Sequence, residues 1–388
     1  MKKVSVLGST GSVGLQTLDV IADSADFQVI GLAAHSNWEL LLRQAKAFGA
    51  KVVGLFDEKA AYLAKSEKGS LGLKDLEVVT GSEGLCRIAS LPECDLVVHA
   101  IPGFRGVKPL LSSLESGKRV ALSGKEALVS AGEIVQTFLL SDPNAVIPVD
   151  SEHSAIFQCL LGEDRSSIEN LILTASGGAL RDLSCEELHQ IRPSDALKHP
   201  TWQMGPKVTV DSATLFNKTL EVMEAHYLFN MPYDSIKVVI HRESIIHSMV
   251  SFRDGSTKAQ LANPDMRLPI AFALNFPERK KGLVETINPV LGTLTFEEPD
   301  VKRFPCLGLG YEAGRMGGTA PCVLSIADEI VVKTFLAGRL PFTEMYNVLR
   351  TVLERYEPRR ADSLESLECA AVWAESEARK TIESSMRR

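Results

Sequence analysis

The sequence predicts an α/β protein: an N-terminal doubly wound parallel sheet over 1–150, an α+β segment over 151–287, a linker over 288–317 and a helical region over 318–388. Three observations carry this reading. Short runs of Val, Leu and Ile alternate with helical text through the first 150 residues, as a parallel sheet buried on both faces requires. The glycine string Gly8-Ser9-Thr10-Gly11-Ser12-Val13-Gly14 stands between the first such run and the first helix. From about Gly318 to the end the text is helical. At 388 residues, the chain exceeds one ordinary domain of roughly 100–200 residues, so two or three are expected.

The strands of the first segment fall at 3–7, 27–34, 51–55, 96–100, 119–123 and 145–149, with the first helix at 15–21. Their near-continuous apolar character implies burial on both faces. In the middle segment, helical stretches at 154–161 and 212–229 mix with strands at 171–175, 237–241 and 247–252. Pro289, Gly292, Pro299, Pro305, Gly308 and Gly310 then crowd the chain, which reads as a linker. Amphipathic helices follow at 319–336, 341–355 and 363–386.

Composition bounds the function. The chain is 45% hydrophobic, enough for real cores and unlike a disordered segment. A net charge of −7 gives no pull toward nucleic acid or anionic membrane, so any site for a phosphorylated ligand must be locally basic. The seven cysteines (Cys86, Cys94, Cys159, Cys185, Cys306, Cys322 and Cys369) contain no C-x-x-C pair. That fits a reducing cytoplasm with free thiols, and neither a zinc knuckle nor a disulfide frame. No signal peptide is read before the first strand, and no apolar run nears the roughly 18 residues of a membrane span. A cytoplasmic protein is expected.

The string G-x-x-G-x-x-G lets the backbone approach a pyrophosphate at a helix N-terminus, where N–H groups and the dipole favour an anion. A tight turn without ligand is the alternative, and the position directly after the first strand favours the nucleotide. The tip of the second strand reads Ala33-Ala34-His35-Ser36-Asn37. It lacks the carboxylate that NAD binders place there for the ribose hydroxyls, which favours NADP(H), with His35, Ser36 and Asn37 near the 2′-phosphate.

Two further strings carry the chemistry. Asp150-Ser151-Glu152-His153-Ser154 sets two carboxylates two residues apart, and on an extended chain these point the same way. Asp211-Ser212-Ala213-Thr214-Leu215-Phe216-Asn217-Lys218-Thr219-Leu220-Glu221 reads as a helix entered through a Ser or Asp cap. On that helix Thr214, Asn217, Lys218 and Glu221 share one face. The carboxylates of Asp150, Glu152 and Glu221 suit a hard divalent cation such as Mg²⁺ or Mn²⁺, and Lys with Ser and Asn beside them suits a phosphate. The expectation is a metal-dependent enzyme acting on a small phosphorylated substrate. His153 reads as a core or supporting histidine, because hard cations prefer oxygen; His241 and His247 read as structural.

Other strings leave alternatives open. Ser123-Gly124-Lys125-Glu126 ends the fifth strand, where such sheets present ligand groups; Lys125 either touches substrate or nicotinamide, or belongs to a surface loop. Ser176-Gly177-Gly178-Ala179 is either a phosphate-wrapping loop or a plain turn. His199-Pro200-Thr201-Trp202-Gln203-Met204-Gly205-Pro206 is either a lid that closes over substrate or a loop with Trp202 packed inward. The cysteines lack a nearby base motif, which counts against thiol catalysis.

Together these strings resemble the 1-deoxy-D-xylulose 5-phosphate reductoisomerase family of the non-mevalonate isoprenoid pathway. The matching segments are 8–14, 125–129, 149–158, 174–179, 199–230 and 304–330, and the block 211–221 is the most specific. The resemblance implies a Rossmann-like NADPH domain, a catalytic domain and a C-terminal helical bundle, in a homodimer. It implies that Asp150, Glu152 and Glu221 bind Mg²⁺, Mn²⁺ or Co²⁺. Ser151, Glu152, Ser176, His199, Ser212, Asn217, Lys218 and Glu221 would hold the substrate, with Lys125 a further contact. Thr10, Gly11, Ser12, Val13, Ser36, Asn37, Glu126 and Gly205 match coenzyme positions, and Trp202 and Met204 match the lid. Two positions depart from the family pattern. Gly124 stands where Asn is usual, leaving only backbone contact with the coenzyme. His35 stands where Gly is usual, adding a phosphate contact or changing the backbone.

The implied reaction has two stages, a metal-assisted rearrangement of the carbon skeleton by retro-aldol cleavage and rejoining, then hydride transfer from NADPH, giving 2-C-methyl-D-erythritol 4-phosphate. A semialdehyde dehydrogenase would share the glycine loop but needs a nucleophilic Cys with a base. An inert NADPH-sensing protein should lack an intact set of metal ligands.

Overall fold

The computed structural model describes residues 1–288, 290 and 292–386. Pro289 and Leu291, in the expected linker, and Arg387 and Arg388, at the end of the expected helical region, lie outside the described residues. The chain forms two compact units. The first holds Met1–Ala127, Thr137–Ser154 and Asp265–Glu285; the second holds Leu128–Gln136, Ala155–Pro264 and Thr286–Arg388.

In the first unit, β1 (Lys2–Leu7), β2 (Phe27–Ala34), β3 (Val52–Leu55), β4 (Glu77–Thr80), β5 (Leu96–His99), β6 (Arg119–Leu122) and β7 (Val146–Pro148) make one sheet. Its order is β4-β3-β2-β1-β5-β6-β7, and every pairing is parallel. The chain order turns back between β1 and β5, so the carboxyl ends of those two strands flank the switch point where such sheets bind ligands. The helices α1 (Ser12–Ala22), α2 (Trp38–Phe48), α3 (Glu58–Glu67), α4 (Gly81–Ala89) and α5 (Val107–Glu115) are the crossovers. They are followed by α6 (Lys125–Ser130), α7 (Gly132–Ser141) and, after β7, α8 (Ser151–Leu160). Leu7, Ile30, Ala33, Val52, Leu85, Ile88 and Val97 pack into one core under the sheet. The six strands expected from apolar runs are present, with ends shifted by a residue or so. Strand β4 was not expected. It is a four-residue edge strand whose Glu77 and Thr80 face solvent, so it offers no apolar run.

The second unit centres on a mixed sheet of β8 (Ile168–Ala175), β9 (Ile236–Ile240), β10 (Ile246–Phe252) and β11 (Thr257–Leu261), in the order β11-β10-β8-β9. Strands β8 and β9 run parallel and the other pairs antiparallel. Between β8 and β9 come α9 (Cys185–Leu188), α10 (Pro193–Ala196), α11 (Pro206–Ala213) and α12 (Phe216–Phe229). Helix α13 (Arg267–Asn275) returns to the first unit and packs on α1. Helices α14 (Cys306–Met316), α15 (Ala320–Leu336), α16 (Phe342–Glu354) and α17 (Leu364–Ser385) follow, and α15 packs against α14, α16 and α17. No helix among the described residues is long and apolar enough to cross a membrane.

Three local expectations are corrected. Asp150 and Glu152 do not lie on an extended strand: Ser154 N–H donates to the Asp150 carbonyl at 2.8 Å, and α8 begins at Ser151. The block 211–221 is not one helix. Helix α11 starts at Pro206, with Gly205 as its N-cap, and ends at Ala213; Leu215 then takes a left-handed φ of 60° before α12. The Thr214 hydroxyl accepts from the Phe216 N–H at this junction, so Thr214 leaves the face it was expected to share. Asp211 is mid-helix, paired with Lys207 at 2.6 Å, and caps nothing. Finally, the stretch read as a linker contains α14, an eleven-residue helix.

Candidate active site

The glycine loop after β1 is built by close approach. A Cβ at Gly8 would stand 2.3 Å from the Ala100 carbonyl oxygen, and one at Gly14 would stand 2.2 Å from the Gly8 oxygen. Gly8 has a φ of +85°, which L side chains rarely adopt. Both glycines are therefore fixed by packing, whereas Gly11 meets only a 3.3 Å neighbour. Gln44 grips Ser9 twice, accepting from its hydroxyl at 2.8 Å and donating to its carbonyl at 2.9 Å. No side chain caps α1 at Gly11, so the N–H groups of its first turn, around Ser12 and Val13, are open to an anion. Thr10 is half-buried at the turn. His35, Ser36 and Asn37 follow β2, all exposed. The Asn37 side-chain oxygen already accepts from Leu40 N–H at 3.3 Å as the cap of α2, which leaves its amide N–H₂ for a ligand.

Gly124 has a physical reason here. A Cβ would meet the Ile101 carbonyl oxygen at 2.5 Å and His99 Nδ1 at 3.2 Å, so the Asn usual in the family would not fit this backbone. Lys125 and Glu126 are 8% and 6% exposed, which rules out the surface-loop alternative. Lys125 Nζ stands 2.5 Å from Asp150 Oδ2, and His153 Nδ1 stands 3.5 Å from the same oxygen. Burial alone would raise the Asp150 carboxyl, but the Lys125 ammonium, with His153, holds it well below the usual carboxylate range. Ser151 Oγ donates to Glu152 Oε2 at 2.6 Å. Both acids thus sit at the N-terminal end of α8, where the helix dipole favours negative charge.

In the second unit polar side chains cluster at the carboxyl end of β8. Gly177 and Gly178 both have left-handed φ, 83° and 75°. A Cβ on Gly178 would lie 2.3 Å from the Ser212 carbonyl oxygen, so this turn presses against α11 and brings Ser176 to Ser212. Lys218 Nζ donates to the Thr174 carbonyl at 2.6 Å, which brings α12 to the same strand end. On α12, Asn217 and Lys218 both donate to the Glu221 carboxylate. Lys218 is 3% exposed and Glu221 fully buried. Ser176, His199, Ser212, Asn217, Lys218 and Glu221 are therefore gathered in one place. Arg181, which sequence reasoning did not single out, fixes the turn by donating to the Ser176 carbonyl at 2.6 Å. A basic residue three positions beyond a Gly-Gly turn was its only signal.

His199 organises the loop that follows it. Its Nδ1 accepts from the N–H groups of Thr201 at 3.2 Å and Trp202 at 2.9 Å. The proton therefore sits on Nε2, which donates to Ser176 Oγ at 2.9 Å. Trp202 and Met204 are half-buried and Gly205 is exposed; the Trp202 ring lies 6.0 Å from that of His247. Burial, then the nearby Arg181 guanidinium, pushes the His199 imidazole down from 6.5 to about 4. An opened loop binds the extra proton, so the stability this arrangement contributes is present above about pH 6.5 and is lost as pH falls toward 4. In an NMR pH series on the ligand-free protein, the His199 ring should titrate near 4; a midpoint at the ordinary 6.5 would contradict the two N–H contacts.

The doubly wound sheet with its glycine turn at the switch point is the architecture of dinucleotide-dependent α/β enzymes. Family models match along most of its length: 1-deoxy-D-xylulose 5-phosphate reductoisomerase over 4–132, its C-terminal domain over 146–229, and a further DXP reductoisomerase C-terminal domain over 261–380. The 1-deoxy-D-xylulose 5-phosphate reductoisomerase of Pelotomaculum thermopropionicum is 46% identical, covering 98% of this chain and 99% of its own. That of Thermodesulfovibrio yellowstonii is 45% identical, covering 98% and 100%. Among solved structures, a DOX-P reductoisomerase in complex with NADPH, fosmidomycin and magnesium is 34% identical with a TM-score of 0.94, covering 99% of this chain and 98% of that one. The Zymomonas mobilis enzyme in complex with NADPH is 37% identical with a TM-score of 0.91, covering 99% of each. The chain belongs to the 1-deoxy-D-xylulose 5-phosphate reductoisomerase family.

Proposed function

We propose that this chain converts 1-deoxy-D-xylulose 5-phosphate to 2-C-methyl-D-erythritol 4-phosphate, using NADPH and a divalent cation. The observation that carries the reading is the face of half-buried Asn217 with buried Lys218 and Glu221 beside the Ser176-Gly177-Gly178 turn, in a chain similar over 98% of its length to a reductoisomerase. The division of labour is a coenzyme domain over 1–150, a catalytic domain over 151–287 whose helix α13 packs in the first unit, and a C-terminal helical bundle over 318–388, with α14 in the segment 288–317 between them.

Asp150, Glu152 and Glu221 hold the cation. The donor set fits: three carboxylates suit Mg²⁺, Mn²⁺ or Co²⁺ better than a soft metal. When bound, the cation supplies Lewis acidity to the carbonyl and hydroxyl of the substrate. Ser176, Ser212, Asn217 and Lys218 hold the phosphate, with neutral His199 donating through Nε2. That binding energy is available for orienting the reacting carbons. Ser151, Glu152 and Lys125 face the reacting end of the substrate. Thr10, Gly11, Ser12, Val13, His35, Ser36, Asn37, Gly124, Glu126 and Gly205 hold the coenzyme, which supplies the hydride. The cysteines do not support a thiol dehydrogenase: among the described residues five of the seven are buried, and burial raises the thiols of Cys86, Cys94, Cys306 and Cys322.

Residues 199–206, with Trp202 and Met204, form the lid over the substrate. Trp202→Ala should raise the substrate KM while the NADPH Kd and Tm hold; a lower Tm with unchanged kcat/KM would make Trp202 a packing residue instead. The protein is a cytoplasmic homodimer in this reading, to be checked by sedimentation at twice 42.2 kDa. The activity is tested by NADPH oxidation with 1-deoxy-D-xylulose 5-phosphate. Consumption should stop on chelation and return with Mg²⁺. Consumption indifferent to chelation, or none with Mg²⁺ present, would overturn the proposal.

A further inference from the structure

Arg105 lies outside every string that the sequence analysis singled out, in the loop Gly103-Phe104-Arg105-Gly106 directly after β5. The loop backbone is firmly seated. Gly103 has a φ of 72°, His99 Nε2 donates to the Gly106 carbonyl at 2.9 Å, and a Cβ on Gly106 would stand 2.7 Å from the His99 ring. From this loop the Arg105 guanidinium reaches the tips of β2 and β3. Its Nη1 donates to His35 Nε2 at 2.9 Å, and its Cζ lies 5.1 Å from the centre of the Phe56 ring. His35 stacks on the same ring, 5.5 Å between centres and 18° between planes. Phe56 is itself pinned, since its N–H donates to the Ala34 carbonyl at 3.1 Å and Asp57 behind it caps α3.

This arrangement has a direction and an unmet need. Strands β2 and β5 are the two neighbours of β1, so the Arg105–His35 contact joins the loops on either side of the strand whose glycine turn faces the pyrophosphate. The tip of β2 is where such sheets receive the adenosine ribose. Among the described residues no carboxylate pairs with Arg105; a ring and an imidazole nitrogen hold it instead. A guanidinium has five N–H donors in a rigid fork, and one is engaged with His35. The others remain for an anion with paired acceptor oxygens. The tip carries no Asp or Glu, which a ribose hydroxyl would call for and a phosphate would be repelled by.

Resting on the coenzyme reading above, we propose that Arg105, positioned by His35 and Phe56, is the residue that selects NADPH over NADH, by taking the 2′-phosphate of the adenosine ribose as a fork. His35, at the position where the family usually has glycine, is then a positioning residue for that arginine. Ser36 and the Asn37 amide contribute secondary contacts.

The test is direct binding to the full-length protein without substrate. NADPH and NADH are titrated by fluorescence, and 2′,5′-ADP and 5′-AMP by calorimetry. Arg105→Ala should weaken NADPH and 2′,5′-ADP by roughly 10- to 100-fold, the loss expected for charge-assisted bonds, and leave NADH and 5′-AMP where they were. Arg105→Lys keeps the charge without the fork and should recover only part of the loss. Arg105 is exposed, so both variants should melt with the wild type. His35→Ala should give a smaller loss of the same selectivity. If Arg105→Ala weakens NADPH and NADH alike, or leaves the preference for NADPH intact, the assignment of Arg105 is overturned while the coenzyme reading stands. If the wild type binds neither dinucleotide, or shows no preference between them, the coenzyme reading falls and this proposal with it.

Discussion

Glu221→Gln should abolish turnover while NADPH still binds. The side chain is fully buried and accepts from both Asn217 and Lys218. Glutamine keeps the volume but removes the charge that a hard cation requires. A loss on the order of 10³-fold in kcat is expected, comparable with deleting one electrostatic group of a preorganised site. The structure adds a second effect that the sequence did not suggest. Lys218, 3% exposed, loses the charge of one carboxylate partner, and breaking one side of a buried ion pair costs up to about 3–5 kcal/mol. Tm should therefore fall together with kcat. The coenzyme loop lies in the other compact unit, so the NADPH Kd should move little. Wild-type kcat at limiting Mg²⁺ would show that Glu221 is not a ligand.

Lys125→Met should also cost two orders of magnitude or more in kcat, with the opposite signature at the metal. Lys125 Nζ sits 2.5 Å from Asp150 Oδ2 and is 8% exposed. It is a cation beside a carboxylate assigned to another cation, so it competes with the metal by Coulomb repulsion. Removing it should leave Mn²⁺ affinity unchanged or tighter. The loss then falls on the substrate step, at about 10²-fold for one positioned charged donor. Mn²⁺ binding followed by electron paramagnetic resonance separates the two effects. Weakened Mn²⁺ binding with kcat preserved would make Lys125 a support for the metal site and remove it from the substrate contacts.

The elements that the sequence disclosed best are those whose physics is local. Strands β1, β2 and β5 are apolar runs buried on both faces, and their limits were legible within a residue or so. Gly8 and Gly14 were legible because close backbone approach forbids a side chain there. Strands β4 and β11 were missed because they are short edges with exposed side chains; β11 reads Thr257-Lys258-Ala259-Gln260-Leu261 and is almost wholly solvent-facing. The break at Leu215 was missed because a non-glycine residue at left-handed φ leaves no mark in the text. The acid pair Asp150 and Glu152 was singled out by spacing on an extended chain, and that geometry was wrong; the turn into α8 is set by the chain from Ser151, which stays helical to Leu160.

Long-range contacts were the least legible. Lys218 against the end of β8 and Arg105 over Phe56 each join residues far apart in the chain. Single-sequence spacing carries no information about such pairs. The Gly124 departure shows the same limit from the other side. As text it is a missing side-chain contact; in the structure it is the residue that the Ile101 carbonyl and the His99 ring leave room for.

The central claim is that one divalent cation is held by Asp150, Glu152 and Glu221, two strings widely separated in sequence. The most direct measurement is an anomalous difference map from crystals grown with Mn²⁺ and NADPH. It should show one strong peak with carboxylate oxygens of all three residues at roughly 2.0–2.3 Å. A peak contacted by only one of the two strings, or no peak at these carboxylates at saturating Mn²⁺, would contradict it.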